Sequence, residues 1–330
     1  MSIIIIKLTI FILGFFMIIS KYSINGDEDM FKYRTYKEIN EYLDKVAEKH
    51  KDKVKSFTIG YSYENRTING IRISGNNTGI KKTRVLIDAG IHAREWIGPV
   101  VVLYAINQLL ENKAYSPLID KLDWYIVPML NPDGYVFSME HPNGDRLWRK
   151  NRAPTYLPNC IGVDLNRNFG FVWGGPGSST DPCNLSYRGT HPYSEPETLA
   201  FAEFVMSIRD QLKLYLTYHS SAQAILYPWG FGDDLPADWM DLHNLAVKAE
   251  KAMSKVNGTH YLIGSTTSLV GVGAGGSDDW AKGYANIKYV YTIELPGQEY
   301  PQQGFHPPKQ DLPKIAEENF QGIKIFAEEL

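Results

Sequence analysis

Three potential metal ligands stand at the ends of apolar runs. His92 and Glu95, in His92-Ala93-Arg94-Glu95-Trp96, follow Val85-Leu86-Ile87-Asp88-Ala89-Gly90-Ile91, which reads as a buried strand. An imidazole and a carboxylate three residues apart, just past a strand end, can turn toward one point. His219 ends a second strand-like run, Leu212-Lys213-Leu214-Tyr215-Leu216-Thr217-Tyr218-His219. Zinc takes such N and O ligands, three from the protein, with the fourth position left for water. The mixed N/O set favours zinc over cobalt or manganese. Arginines between the two sites lie in runs suited to holding an anion. The combination points to zinc hydrolysis of chains at a carboxylate end.

The elements that must position these residues alternate. Apolar spacing at Ile39, Leu43 and Val46 predicts a helix over 36–50. Short strands are expected at 55–59 and 70–73, then buried strands at 84–91 and 124–129. A helix over 98–110 separates those two. Asn131-Pro132-Asp133-Gly134 reads as a turn. Ser194 is the expected cap of a helix running to about 209, with Glu197 completing a capping box. A strand at 212–219, a helix near 241–255, a strand at 288–294 and a terminal helix over 312–330 follow. This alternation predicts an α/β fold with a mostly parallel or mixed sheet and helices on both faces. Sites in such sheets gather at strand carboxyl ends, where His92, His219 and Glu294 fall.

The chain has 330 residues, 44% of them hydrophobic, which suits one large domain. A net charge of −3 gives no reason to expect nucleic acid or an anionic membrane as partner. Residues 3–19 are almost wholly apolar. They read as the core of a cleaved secretory signal within 1–25, because Lys7 interrupts a run of about 17 residues, the lower limit for a membrane span. Cys160 and Cys183 would close a surface loop by a disulfide worth about 3 kcal/mol. Sequons at Asn65, Asn76, Asn184 and Asn257 also suit export. Gly271-Val272-Gly273-Ala274-Gly275-Gly276 spells a dinucleotide fingerprint, but it lacks a good preceding strand and a following crossover helix.

Taken in order, several motifs resemble the zinc metallocarboxypeptidases, the family of pancreatic carboxypeptidases A and B. They are Ala89-Gly90-Ile91-His92-Ala93-Arg94-Glu95-Trp96, Asn131-Pro132-Asp133-Gly134-Tyr135, Arg146-Leu147-Trp148-Arg149-Lys150 and Gly162-Val163-Asp164-Leu165-Asn166-Arg167-Asn168. Tyr218-His219-Ser220, Gly275-Gly276-Ser277-Asp278-Asp279-Trp280 and Tyr291-Thr292-Ile293-Glu294-Leu295 complete the set. The similarity spans roughly residues 32–329 and implies a mixed eight-stranded twisted sheet flanked by helices.

By resemblance, His92, Glu95 and His219 bind one zinc, and Asp164 accepts the second ring N–H of His92. Glu294 is the general base on a zinc-activated water. Arg149 stabilises the oxyanion, and Asn166 and Arg167 grip the terminal carboxylate. Arg94 lines the subsite one residue upstream. Arg146, Lys150 and Arg152 are expected to make surface salt bridges. Asp278 falls at the floor of the last side chain's pocket, where B-like enzymes carry Asp, so C-terminal Lys or Arg is the expected preference. The expected partners are peptide C-termini, and the expected protein is a secreted monomer without stable membrane association.

The pattern departs in three places. The family's substrate-closing tyrosine falls at Gly271, which predicts weaker binding with chemistry retained. Pro296 stands where arginine is common. The catalytic domain is expected over 26–330, with no activation segment after the leader. The alternatives are a catalytically weakened homologue that binds peptide C-termini, and a broader A-like specificity.

Overall fold

The computed structural model describes residues 30–75, 81–297 and 304–330. The expected leader and the sequon at Asn76 lie outside the described residues. Phe31–Leu330 form one compact unit. Eight strands make one sheet: β1 (Val54–Tyr61), β2 (Thr67–Ile73), β3 (Thr83–Ala89), β4 (Leu122–Val127), β5 (Leu212–Ser220), β6 (Ala224–Tyr227), β7 (Leu262–Ser265) and β8 (Tyr289–Leu295). Their order is β1-β2-β4-β3-β5-β8-β6-β7. The four inner strands β4, β3, β5 and β8 run parallel. They are buried on both faces, which is why they read as near-continuous apolar runs. Antiparallel pairs flank them through β1–β2, β2–β4 and β6–β8.

Helices cover both faces, as expected. The described helices are α1 (Tyr36–Lys49), α2 (Ile97–Glu111), α3 (Ser116–Lys121), α4 (Pro132–Met139), α5 (Pro196–Ile208), α6 (Trp239–Asn257), α7 (Thr266–Val270), α8 (Ser277–Gly283) and α9 (Leu312–Glu328). Leu86, Tyr215 and Val290 point to one face and pack with Phe201 and Val205 of α5 and Trp280 of α8. Tyr291 points to the other. Its ring lies 4.5 Å from Phe326 of α9, and its hydroxyl donates to the Leu242 carbonyl of α6. Gly98 lets α2 seat closely on this face: a Cβ there would lie 3.2 Å from the Tyr218 carbonyl. No helix among the described residues is long and apolar enough to cross a membrane.

Three local readings are corrected and a fourth is borne out. Strands β3 and β4 end two residues earlier than expected. The chain leaves the ladder at Gly90, whose φ is +72°, and Leu130 N and Asn131 N then donate to the Ala89 and Gly90 carbonyls. The Asn-Pro-Asp-Gly run is not a free turn but the start of α4: Asn131 caps it by accepting from Gly134 N, and Pro132 occupies the first turn. The expected Ser194/Glu197 capping box does not form. Ser194 is held instead by Asn168 Nδ2, and Glu197 accepts from Asn151 Nδ2 and Tyr63 N. The glycine-rich run at 271–276 follows the five-residue helix α7, not a strand, which bears out its rejection as a dinucleotide loop.

Burial pushes Glu197 from its ordinary 4.5 up to about 7, and the neighbouring Glu195 charge adds to the shift. The folded protein therefore holds this proton longer than the unfolded chain. Its contribution to stability is full below pH 4.5 and is lost as pH rises through about 7. Glu197→Gln should gain on the wild type by about 1–3 kcal/mol between about pH 5 and about pH 8 in denaturant unfolding. A pH-independent difference would show that Glu197 is ionised in the fold throughout.

Candidate active site

The loop after β3 carries His92 and Glu95, and its backbone is pinned from several sides. Asn131 Nδ2 donates to the Ile91 and Lys150 carbonyls, Ala93 N donates to the Arg149 carbonyl, and Ser138 Oγ donates to the Ala93 carbonyl. Gly134 is required here: a Cβ would lie 2.5 Å from the Lys150 carbonyl and 2.8 Å from Ala93 Cβ. His219 and Glu294 sit next to last in β5 and β8, directly paired in register. All three positions open at the carboxyl end of the parallel strands, where β5 and β8 meet.

His92, Glu95 and His219 converge and are buried. His92 Nδ1 lies 2.8 Å from Glu95 Oε1 and 3.2 Å from His219 Nδ1, and His219 Nδ1 lies 3.2 Å from Glu95 Oε2. His92 donates its Nε2–H to Asp164 Oδ1 at 3.2 Å. Burial, then the Arg149 charge, hold this ring below its ordinary pKa and so neutral. Its Nδ1 lone pair then faces a carboxylate lone pair, which repels unless a cation lies between them. Burial disfavours a charged His219, yet Glu95 raises that ring to about 9. The same negative field that draws a proton there welcomes a metal ion. Zinc bonds of about 2.0–2.2 Å set tetrahedral corners about 3.3–3.6 Å apart. A slight spreading of the observed set admits zinc, so the residues fit it.

Asp164 is fully buried behind this group. Besides His92, its Oδ2 accepts from Arg149 Nε at 3.1 Å and Nη2 at 2.9 Å, and Oδ1 accepts from Asn166 N. Burial alone would raise its carboxyl, but Arg149 and the His92 hydrogen bond hold it well below the ordinary range. The last bond caps the helical turn Leu165–Arg167 that carries Asn166 and Arg167.

A cavity of about 350 Å³ joins these groups. Nine of the expected site residues line it: His92, Arg94, Glu95, Arg149, Asn166, Arg167, His219, Asp278 and Glu294. Burial pushes Glu294 up to about 7, with His219 pulling back and Glu95 adding to the rise. Asn166 Oδ1 accepts from Ser277 N, which leaves its Nδ2 to donate. Arg167 Nε donates to the Gly177 carbonyl and Nη1 to the Asn166 carbonyl. Arg94 stacks on Phe305, with the guanidinium carbon 4.3 Å from the ring centre. Gly271 also lines the cavity, at φ +92°.

The salt bridges expected of Arg146, Lys150 and Arg152 are absent among the described residues. Arg146 lies 3.4 Å over the Trp96 ring, Arg152 stacks on Phe137 and Trp148, and Lys150 is buried and donates to the Pro182 carbonyl. Aromatic faces, not carboxylates, surround these cations. The Cys160–Cys183 disulfide is present. Sequence reasoning missed Thr266, Thr292 and Phe305 as cavity residues. Thr292 was within reach, because it lies two residues before Glu294 on one strand and so shares its face.

Two imidazoles and a carboxylate at strand ends, beside a tethered guanidinium and a raised carboxyl, define a metallohydrolase. Known proteins narrow the class. The zinc carboxypeptidase family profile matches residues 39–322. The chain is 41% identical over 301 residues to carboxypeptidase B of Astacus astacus, covering 91% of this chain and 97% of that protein. Over 307 residues it is 35% identical to carboxypeptidase A2 of Rattus norvegicus, covering 92% and 71%. Bovine thrombin-activatable fibrinolysis inhibitor, solved with tick carboxypeptidase inhibitor, superposes with a TM-score of 0.84 at 33% identity, covering 91% of this chain and 98% of that one. The chain belongs to the zinc carboxypeptidase family and is a zinc-dependent carboxypeptidase.

Elemental analysis of pure protein should find about one zinc per chain. Asp164→Asn should weaken zinc affinity by about 10–100-fold in a chelator competition, since the His92 ring loses its charged acceptor. Unchanged affinity would remove Asp164 from the metal's support.

Proposed function

We propose that this carboxypeptidase is secreted and releases C-terminal Lys or Arg from peptides. The observation that carries the basic preference is Asp278, a carboxylate only 5% exposed that lines the substrate cavity. An apolar guest would leave that carboxylate without a counter-charge, whereas Lys or Arg supplies one. Secretion is supported by the apolar run at 3–19 and by the disulfide, which suits an oxidising compartment. The leader is assigned to 1–25 and the catalytic domain to 26–330.

Zinc held by His92, Glu95 and His219 supplies a Lewis acid that polarises the scissile carbonyl and acidifies water. Glu294 takes a proton from the attacking water as its oxygen bonds to the carbonyl carbon. The C–N bond then breaks, and the same proton passes to the leaving amine. Arg149, tethered by Asp164 through Nε and Nη2, turns Nη1 toward the metal-ligand group, 3.4 Å from His92 Nδ1, where the oxyanion would develop. Asn166 and Arg167 hold the substrate's terminal carboxylate. Only a chain end presents that group beside the scissile bond, which makes the enzyme an exopeptidase. Arg94 faces the next residue upstream.

Gly271 favours a second reading, a weakened homologue that mainly binds C-termini. Among the described residues a Cβ at this position would meet nothing within 4 Å, so the cavity wall is open where the expected phenol would attach. The lost hydrogen bond raises KM but touches neither base, clamp nor metal ligands, so turnover is retained.

Glu294→Gln should keep its zinc and lose about 10²–10⁴-fold in kcat. Full turnover in that variant removes Glu294 as the base. Asp278→Asn should erase a preference for basic over phenylalanine-ended peptides, measured as the ratio of kcat/KM values. A wild type that favours Phe defeats the basic assignment.

A further inference from the structure

The floor carboxylate is not free on both sides. Thr292 Oγ1 donates to Asp278 Oδ2 at 3.1 Å. Thr266 Oγ1 lies 3.2 Å from the same oxygen, nearer than its other acceptor, the Tyr227 carbonyl at 3.4 Å, and the charged oxygen is the stronger acceptor. Both threonines line the cavity. Asp278 Oδ1 takes no hydrogen bond from the described residues. The adjacent Asp279 is turned to other work, with both its oxygens accepting from Gly230 N at 2.8 and 3.0 Å. The pocket therefore offers one open carboxylate oxygen, not two.

Lysine and arginine make different demands on such a floor. A guanidinium fork binds a carboxylate best through two parallel bonds, one to each oxygen. Here the second oxygen already has two hydroxyl donors, and a fork must displace one or settle for a single bond. An ammonium is a compact charge with three donors. It needs one carboxylate oxygen, and each threonine hydroxyl keeps lone pairs after donating. Oδ1, Thr266 Oγ1 and Thr292 Oγ1 are three acceptors for three N–H groups.

We infer that the enzyme prefers C-terminal Lys to Arg, and that Thr266 and Thr292 set this preference by occupying one oxygen of Asp278. The inference rests on the basic-pocket reading above. Its test uses zinc-loaded enzyme and matched peptides that differ only in a terminal Lys, Arg or Phe. The expected order of kcat/KM is Lys over Arg by about tenfold, with Phe last. Thr266→Val and Thr292→Val each free a lone pair on Oδ2, so the Lys/Arg ratio should fall toward one. Thr266→Ser keeps the hydroxyl and should keep the ratio. Arg equal to or better than Lys in the wild type, with both ahead of Phe, overturns the inference and leaves the basic pocket standing. Phe ahead of both overturns the basic pocket itself. A Lys preference untouched in every folded valine variant removes the threonines from the explanation. The wild-type ratio alone decides the first point if a variant does not fold.

Discussion

One buried carboxylate organises the catalytic end of the molecule. Asp164 accepts from the metal-ligand ring of His92, from two nitrogens of Arg149, and from the backbone of Asn166. A lone carboxylate at zero exposure would cost several kcal/mol. Here a guanidinium and two further hydrogens offset that cost, and the carboxyl stays ionised. The arrangement couples three jobs. It selects the ring tautomer that aims a lone pair at the metal site, tethers Arg149, and starts the turn that carries Asn166 and Arg167. Any movement of Asp164 shifts all three together.

The sheet supplies the second constraint. His219 and Glu294 are neighbours because β5 and β8 pair in parallel with those residues in register. A one-residue slip would turn both side chains to the opposite face. The His92 loop has no such ladder, so its position comes from side-chain bonds to backbone. Asn131 alone ties residues 91 and 150, and Gly134 removes the atom that would keep α4 away. The Asn-Pro-Asp-Gly run thus belongs to the site although none of it lines the cavity.

The inner strands and most helices were legible because their signals are local: long apolar runs and periodic faces. The ligand set was legible because its spacing follows strand ends. What stayed hidden depends on partners distant in the chain. Ser194 and Glu197 spell a capping box, yet Asn168 and Asn151 outbid the local partners. Arg146 and Arg152 look like surface charges until folding brings Trp96, Phe137 and Trp148 beneath them. Strands β6 and β7 have four residues each, too few for a period to show. Thr266 has no signal at all, since only the return of α7 beside α8 brings it to Asp278.

The cavity holds opposite charges that must not neutralise each other. On the function proposed above, Arg167 serves a carboxylate and Asp278 a cation, and the Asp278 charge also acts on Arg167. A direct pair between them would close the pocket and compete with both ends of the guest. The structure prevents this by tethering each. Arg167 is bonded to the Gly177 and Asn166 carbonyls, and Gly273 is bare because a Cβ would lie 2.6 Å from its Nη2. Asp278 is bonded to threonine hydroxyls on the other side. Neutral tethers fix the charges without consuming them. On the specificity proposed above, a terminal basic residue, negative at one end and positive at the other, would complete two charge pairs whose geometry was set before it arrived.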